Sequence, residues 1–143
     1  MIIRLATPNE IPIIKSYGKK VQEEATVGYL TQNDEIPTKE TYFWGESYYF
    51  VLVNHDHICG WVLVGDTYHP FKQEPTGMII ELYVLPNYRN YGFGQQLMAA
   101  ALKHFKYKGY KTVQLNVFAG NPAKKMYEKL GFRDVSTAME IHF

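Results

Sequence analysis

Hydrophobic and polar positions change rhythm several times along this chain. MIIRLA, residues 1–6, reads as a first strand. Thr7 and Pro8 then suit an N-cap followed by proline at the first helical position. A helix is expected through IPIIKSYGKKVQEEA, interrupted by Pro12 and Gly18. Residues 28–46, GYLTQNDEIPTKETYFWGE, are polar, irregular and tipped with aromatics, as suits a short helix and loop over a cleft. SYYFVLVN and HICGWVLVGD are strand patterns, and the NHDH turn between them predicts a hairpin. TYHPFKQEPTG is a loop, and MIIELYVL is a β-prone run stopped by Pro86.

The rhythm then becomes helical. Leu97, Met98, Ala101, Leu102 and Phe105 form one stripe in GQQLMAAALKHFKYKG, with Gly109 as C-terminal cap. KTVQLNVF, residues 111–118, is another strand. NPAKKMYEKLG is a short helix with Asn121 as N-cap, Pro122 at its first position and Gly131 past its end. FRDVSTAMEIHF closes as strand, turn and strand. The predicted order is β-α-α-β-β-β-α-β-α-β(β). That order describes a mixed α/β (α+β) fold around one central sheet, and 143 residues fit a single domain over 1–143.

Composition narrows the function. Apolar residues make up 46% and charged residues 20%, an ordinary globular balance. The net charge of +1 leaves no basic footprint for nucleic acid. Cys59 is the only cysteine, which excludes an internal disulfide framework and a thiolate metal cluster. In HICGWVLV it reads as a packed thiol. No apolar run reaches membrane-spanning length, and MIIRLATPNEIPII lacks the order of a signal peptide. A cytoplasmic protein with no metal and no membrane partner is expected.

Candidate chemistry concentrates in YRNYGFGQQL, residues 88–97, where Arg89-x-x-Gly92-x-Gly94 joins a strand to a helix. A P-loop would need Lys and Ser or Thr after the second glycine, where Gln95 and Gln96 stand. A dinucleotide fingerprint would need a third Gly or Ala where Leu97 stands, and an acid about 20 residues on, which Lys111–Phe118 lacks. A nicotinamide-dependent oxidoreductase is therefore disfavoured. Free N–H groups at a helix N-terminus remain, and these attract an anion. A strand-to-helix turn without ligand is the competing reading.

ELYVLPNYRNYGFGQQL followed downstream by GNPAKKMYEKLGF resembles the GNAT superfamily of acetyl-CoA-dependent N-acetyltransferases. The resemblance covers Met78 to Phe132 well, and the first half only in the order of elements. It implies a GNAT-like fold and acetyl-CoA as co-substrate. The pyrophosphate would lie on Asn90, Tyr91, Gly92, Phe93, Gly94 and Gln95, with Arg89 opening the motif. The pantetheine arm would run along Leu82, Tyr83 and Val84, with Lys111–Phe118 across a splayed gap.

Two side chains suit the chemistry of amine acetylation. Glu81 interrupts the apolar run MII-E-LYV. It reads either as the base that takes a proton from the amine or as a solvated glutamate at the cleft. Tyr127 reads either as the acid that protonates the departing sulfur, as the resemblance implies, or as a packed helix residue. The sequence departs from the family at the asparagine before the last helix, because Gly120 occupies that position. Asn121, one residue on, either contacts pantetheine after a loop shift or only caps the helix.

Other residues have blander readings. His55 and His57 belong to a solvated turn. His69 either lies in an exposed loop or faces the cleft. The basic run KHFKYKGYK complements the helix dipole or contacts the adenosine 3′-phosphate. The acceptor is expected between residues 28–46 and 66–77. Tyr29, Tyr42, Trp44 and Tyr68 there, with Glu35, Glu40 and Glu46, suit a cationic, partly apolar amine of a small molecule or a protein. A non-catalytic acyl-CoA-binding module on the same fold is the alternative. The C-terminal strands could pair between two copies, giving a homodimer.

Overall fold

A computed structural model describes residues 1–31, 34, 44–69 and 71–143. The elements are β1 (Ile2–Leu5), α1 (Ile11–Ser16), α2 (Gly18–Ala25), β2 (Trp44–Asn54), β3 (His57–Tyr68), β4 (Pro75–Val84), α3 (Phe93–Tyr107), β5 (Val113–Leu115) and α4 (Ala123–Lys129). A single 3-10 turn, Pro86–Tyr88, follows β4. The sheet order is β1-β2-β3-β4-β5, antiparallel throughout except for the β4–β5 pair. This is the expected mixed sheet. No helix among the described residues is long and apolar enough to cross a membrane.

The hairpin forms where the turn residues predict it. Asn54 pairs with His57, and the two residues between, His55 and Asp56, both adopt positive φ (47° and 69°). That is the backbone a two-residue hairpin turn requires. β3 is buried on both faces, which is why it reads as an unbroken apolar run rather than an alternating one. Val62 and Val64 face one core with Leu97, Met98, Ala101 and Phe105 of α3. Trp61 and Leu63 face the other, with Ile14 of α1, Val21 of α2 and Tyr83. Cys59 is fully buried in the α3-side core, as a packed thiol should be.

Three expectations need correction. The first helix does not start at Thr7 but at Ile11, and it is broken at Tyr17 into α1 and α2. Glu10 captures the start instead: it accepts from the Thr7 N–H at 2.8 Å and pairs with both terminal nitrogens of Arg4 on β1 at 2.8 and 3.0 Å. A strand-to-helix ion pair thus overrides a local capping preference. Next, the strand expected over 111–118 pairs only at Val113–Leu115. Finally, FRDVSTAMEIHF does not form strand, turn and strand: residues 133–143 carry no regular structure and all are exposed. Val135, Met139, Ile141 and Phe143 keep the strand alternation, but alternation does not supply a neighbouring strand to pair with.

β5 is held against β4 by Gly77↔Val113 at its first pair, and Phe105 of α3 covers that junction. A Cβ on Gly77 would lie 2.6 Å from the Phe105 ring, which is itself fully buried. Gly77→Ala therefore overpacks the core, at a cost of about 1–3 kcal/mol, read as a lower urea midpoint with unchanged m-value. The Arg4 pair holds the Glu10 carboxyl down from 4.5 to about 2. A depressed folded-state value gives stability that is present above the unfolded value and lost as pH falls. Wild type should therefore lose this contribution between pH 4.5 and about 2. A denaturation series across that window should show Glu10→Gln with a smaller acid-side loss.

Candidate active site

Pairing along β4 changes partway through the strand. Gly77, Met78 and Ile79 pair with Val113, Gln114 and Leu115 of β5 on one side. From Ile80 onward β5 pairing has ended. At the same place the register with β3 slips: Ile79 faces Val64 but Glu81 faces Leu63, so Ile80 is the extra residue of a β-bulge. From there β4 pairs with β3 alone, and a gap in the pairing runs along its other edge.

Backbone groups of β4 line that gap in alternation. The Leu85 N–H donates to the Cys59 carbonyl at 2.9 Å. With Trp61 opposite Tyr83, the antiparallel ladder turns the backbone of Tyr83 toward β3. The N–H and C=O groups of Leu82 and Val84 then point away from β3, into the gap. Of the three residues expected to line it, Leu82 and Val84 offer backbone groups, and Tyr83 offers its to β3.

The loop beyond β4 leads directly to a helix N-terminus. Asn90 and Gly92 both have positive φ (69° and 81°), which folds residues 89–93 tightly enough to start α3 at Phe93. The first intrahelical bond runs from Gln96 N–H to the Gly92 carbonyl at 3.1 Å. The N–H groups of Phe93, Gly94 and Gln95 precede it and have no acceptor within the helix. Asn90, Tyr91 and Gln95 are exposed around them. At Gly94 a Cβ would have only ordinary contacts, 3.7 Å to Met126 Sδ of α4 and 4.0 Å to Leu82 Cδ2. The fold itself has room for a side chain there, so packing does not account for this glycine. The same contacts show that α3, α4 and the second half of β4 converge at this point.

Arg89 does not face the loop. Its Nε donates to the Val84 carbonyl at 2.8 Å, and its Nη2 donates to Glu24 Oε2 of α2 at 2.8 Å. Its guanidinium lies over the Tyr83 ring, 5.1 Å from the centroid. Tyr83 is buried, its hydroxyl has no hydrogen-bond partner among the described residues, and burial pushes that hydroxyl's pKa up. The basic run at the end of α3 lies far from this loop: 15 helical residues span about 22 Å.

Glu81 and Tyr127 lie on opposite faces of the sheet. Glu81 is half-buried on the α1–α2 side and accepts from the Trp61 indole N–H at 2.8 Å. Tyr127, on α4, packs against the α3-side core with its ring edge-on to Phe132. Burial raises its hydroxyl pKa, so the phenol keeps its proton at neutral pH.

Asn121 has two protein partners. Its Oδ1 accepts from the Ala123 N–H at 2.9 Å, and its Nδ2 donates to the Ala25 carbonyl at the end of α2 at 3.2 Å. It caps α4 and ties it to α2. Nearby, Tyr29 stacks on Phe118 and donates to Glu140 of the C-terminal segment at 2.9 Å. Tyr68 is exposed at the end of β3. His69 is buried, not cleft-facing: its Nδ1 accepts the N–H groups of Phe71 and Lys72 and holds their turn. Glu35, Glu40, Tyr42 and the side chain of Trp44 lie outside the described residues. Trp61 and Glu24 were not singled out from sequence, since their roles depend on strand register and on where α2 crosses the sheet.

A family model, the Acetyltransferase (GNAT) family, matches residues 19–132. One curated relative, a [ribosomal protein bS18]-alanine N-acetyltransferase of Haemophilus influenzae, is 37% identical over 57 residues, 40% of this chain and 39% of that protein. A mycothiol acetyltransferase of Saccharopolyspora erythraea is 30% identical over 109 residues, 73% of this chain and 34% of that protein. The matches thus span well under half the length of these two relatives. The crystal structure of a mutant protein from Bacillus halodurans superposes with a TM-score of 0.81 at 25% identity, over 100% of this chain and 99% of that one. The family match runs through the bulged strand, the loop at Arg89-x-x-Gly92-x-Gly94 and the helix bearing Tyr127, and on that match the chain belongs to the GNAT acetyltransferase family.

Proposed function

We propose that the protein is an acetyl-CoA-dependent N-acetyltransferase acting on a primary amine of a small molecule or of a protein or peptide, by direct attack in a ternary complex. One observation carries this reading: the backbone N–H and C=O of Leu82 and the N–H of Val84, turned away from β3, precede a loop that ends in the N–H groups of Phe93, Gly94 and Gln95 at the helix start. An extended amide-bearing arm ending in a pyrophosphate matches that track. The arm adds to β4 as a strand would, and the pyrophosphate meets the positive end of the α3 dipole. Asn90, Tyr91 and Gly92 complete the loop around it. Arg89 contributes by fastening the loop, and Asn121 by fixing α4 against α2.

The chemistry then needs two protons to leave the nitrogen and one to reach the sulfur. The amine arrives protonated, and Glu81 takes its proton, directly or through a water molecule. The amine nitrogen attacks the thioester carbonyl carbon. As the new C–N bond forms and the C–S bond breaks, a gap-facing N–H of β4 holds the oxyanion. The departing sulfur takes the Tyr127 proton. The nitrogen gives up its second proton to solvent as the C–S bond breaks, and Glu81 returns its own to Tyr127 through solvent, so ammonium and thioester become amide, thiol and one released proton.

Thiol release from acetyl-CoA, measured against a panel of primary amines and N-terminal peptides, tests the activity. Turnover with at least one amine is expected. Tight acetyl-CoA binding with no turnover across the panel would instead identify a non-catalytic acyl-CoA-binding module. With an active amine in hand, Tyr127→Phe should lower kcat by about 10–1,000-fold, the range of one lost general acid or somewhat less, with little change in KM for acetyl-CoA. Gly94→Ala separates binding from folding. Its Cβ has room in the protein, and alanine favours the helix, so Tm should hold or rise. Its Kd for coenzyme A should weaken by about 10-fold, as expected for one disturbed charge-assisted hydrogen bond. An unchanged Kd by calorimetry would remove the pyrophosphate from this loop.

A further inference from the structure

Trp61 is the largest fully buried side chain among the described residues, yet its one polar atom is directed at Glu81. It stands on β3 opposite Tyr83, two pairs along from Glu81 and diagonal to it on the same face. Its ring meets those of Tyr17, at 5.7 Å between centroids, and Tyr83, at 5.1 Å, and the two tyrosines meet each other at 6.4 Å, so the three rings form one tilted cluster. From that cluster the indole Nε1–H donates to Glu81 Oε2 at 2.8 Å. The bulge at Ile80 is what makes the contact: without the extra residue, position 81 would fall on the opposite face of β4, away from the indole.

We propose that Trp61 is a positioning residue for the acetyl-transfer step, setting the Glu81 carboxylate in the orientation from which it accepts the amine proton. This rests on Glu81 acting as the base. The chemical identity of the donor matters. A lysine or arginine in its place would orient the carboxylate and also neutralise it, opposing its use as a base. An indole N–H is neutral, donates once and accepts nothing. It fixes the carboxylate's place without putting a counter-charge on it. Glu81 has two oxygens and about four lone-pair directions, and the indole N–H occupies one of these on Oε2. Burial supplies the rigidity: the Trp61 side chain is fully buried and packs against the rings of both Tyr17 and Tyr83.

The test is a double-mutant cycle on steady-state kinetics. Trp61→Phe keeps a ring in the stack and removes the N–H. It should lower kcat by roughly 10-fold, the scale of a misoriented catalytic group, with KM for acetyl-CoA unchanged. In a Glu81→Gln background, Trp61→Phe should have no further effect on kcat. Replacing Trp61 by 3-benzothienylalanine, which keeps the bicyclic shape and exchanges N–H for sulfur, should reproduce the loss at wild-type Tm. That variant separates the donor from the packing. If Trp61→Phe and the benzothienyl variant retain full kcat, or if their losses multiply with that of Glu81→Gln, the positioning role is overturned while the base assignment stands. If Glu81→Gln itself is silent, both fall.

Discussion

A strand in the middle of a sheet satisfies its backbone by pairing on both sides, and β4 does so for only half its length. Up to Ile79 it is paired with β3 and β5; beyond the bulge it is paired with β3 alone. Everything distinctive about the site follows from that change. The N–H and C=O of Leu82 and the N–H of Val84 require a partner from outside the sheet, whereas the Val84 carbonyl has one in Arg89. The bulge also moves Glu81 onto the α1–α2 face beside Trp61. It leaves Leu82 on the other face, touching the start of α3. One additional residue therefore opens the gap, exposes its lining and orients the acid beside it.

The two faces of the sheet carry different parts of the chemistry. The α3–α4 face holds the helix N-terminus and Tyr127. The α1–α2 face holds Glu81 with its aromatic support. Several ties cross between them: Arg89 to Glu24, Asn121 to the end of α2, and Tyr29 to Phe118 and Glu140. Each links a segment after α2 or within it to a segment around the gap. Ala25 and Tyr29, at the end of α2 and just beyond it, are thereby tied to the segments around the gap.

What was legible from sequence was what local chemistry dictates. The hairpin at His55–Asp56, the stripe of α3 and the glycine-marked start of that helix all depend on near neighbours, and each forms as expected. What failed depended on distant partners. Glu10 moved the start of α1 because Arg4 lies on the neighbouring strand. The C-terminal alternation produced no strand because pairing needs an edge, not only a period. Asn121 could be placed at a helix cap from sequence, but its second bond to Ala25 could not. Glu81 stood out because a charge in an apolar strand is costly unless compensated. Its compensating donor, Trp61, is 20 residues away in sequence and visible only once the register is known.

The inward turn of Arg89 has a further consequence for how an anion is held and let go. With the guanidinium committed to Val84 and Glu24, the loop over residues 90–95 presents dipoles rather than a formal positive charge. Dipoles fixed by backbone geometry discriminate by shape and distance and decay quickly with separation, whereas a bare cation attracts any anion over a Debye length. In the proposed complex such a loop would favour a diphosphate that fits its curvature over free inorganic ions, and the spent carrier would leave it without breaking an ion pair.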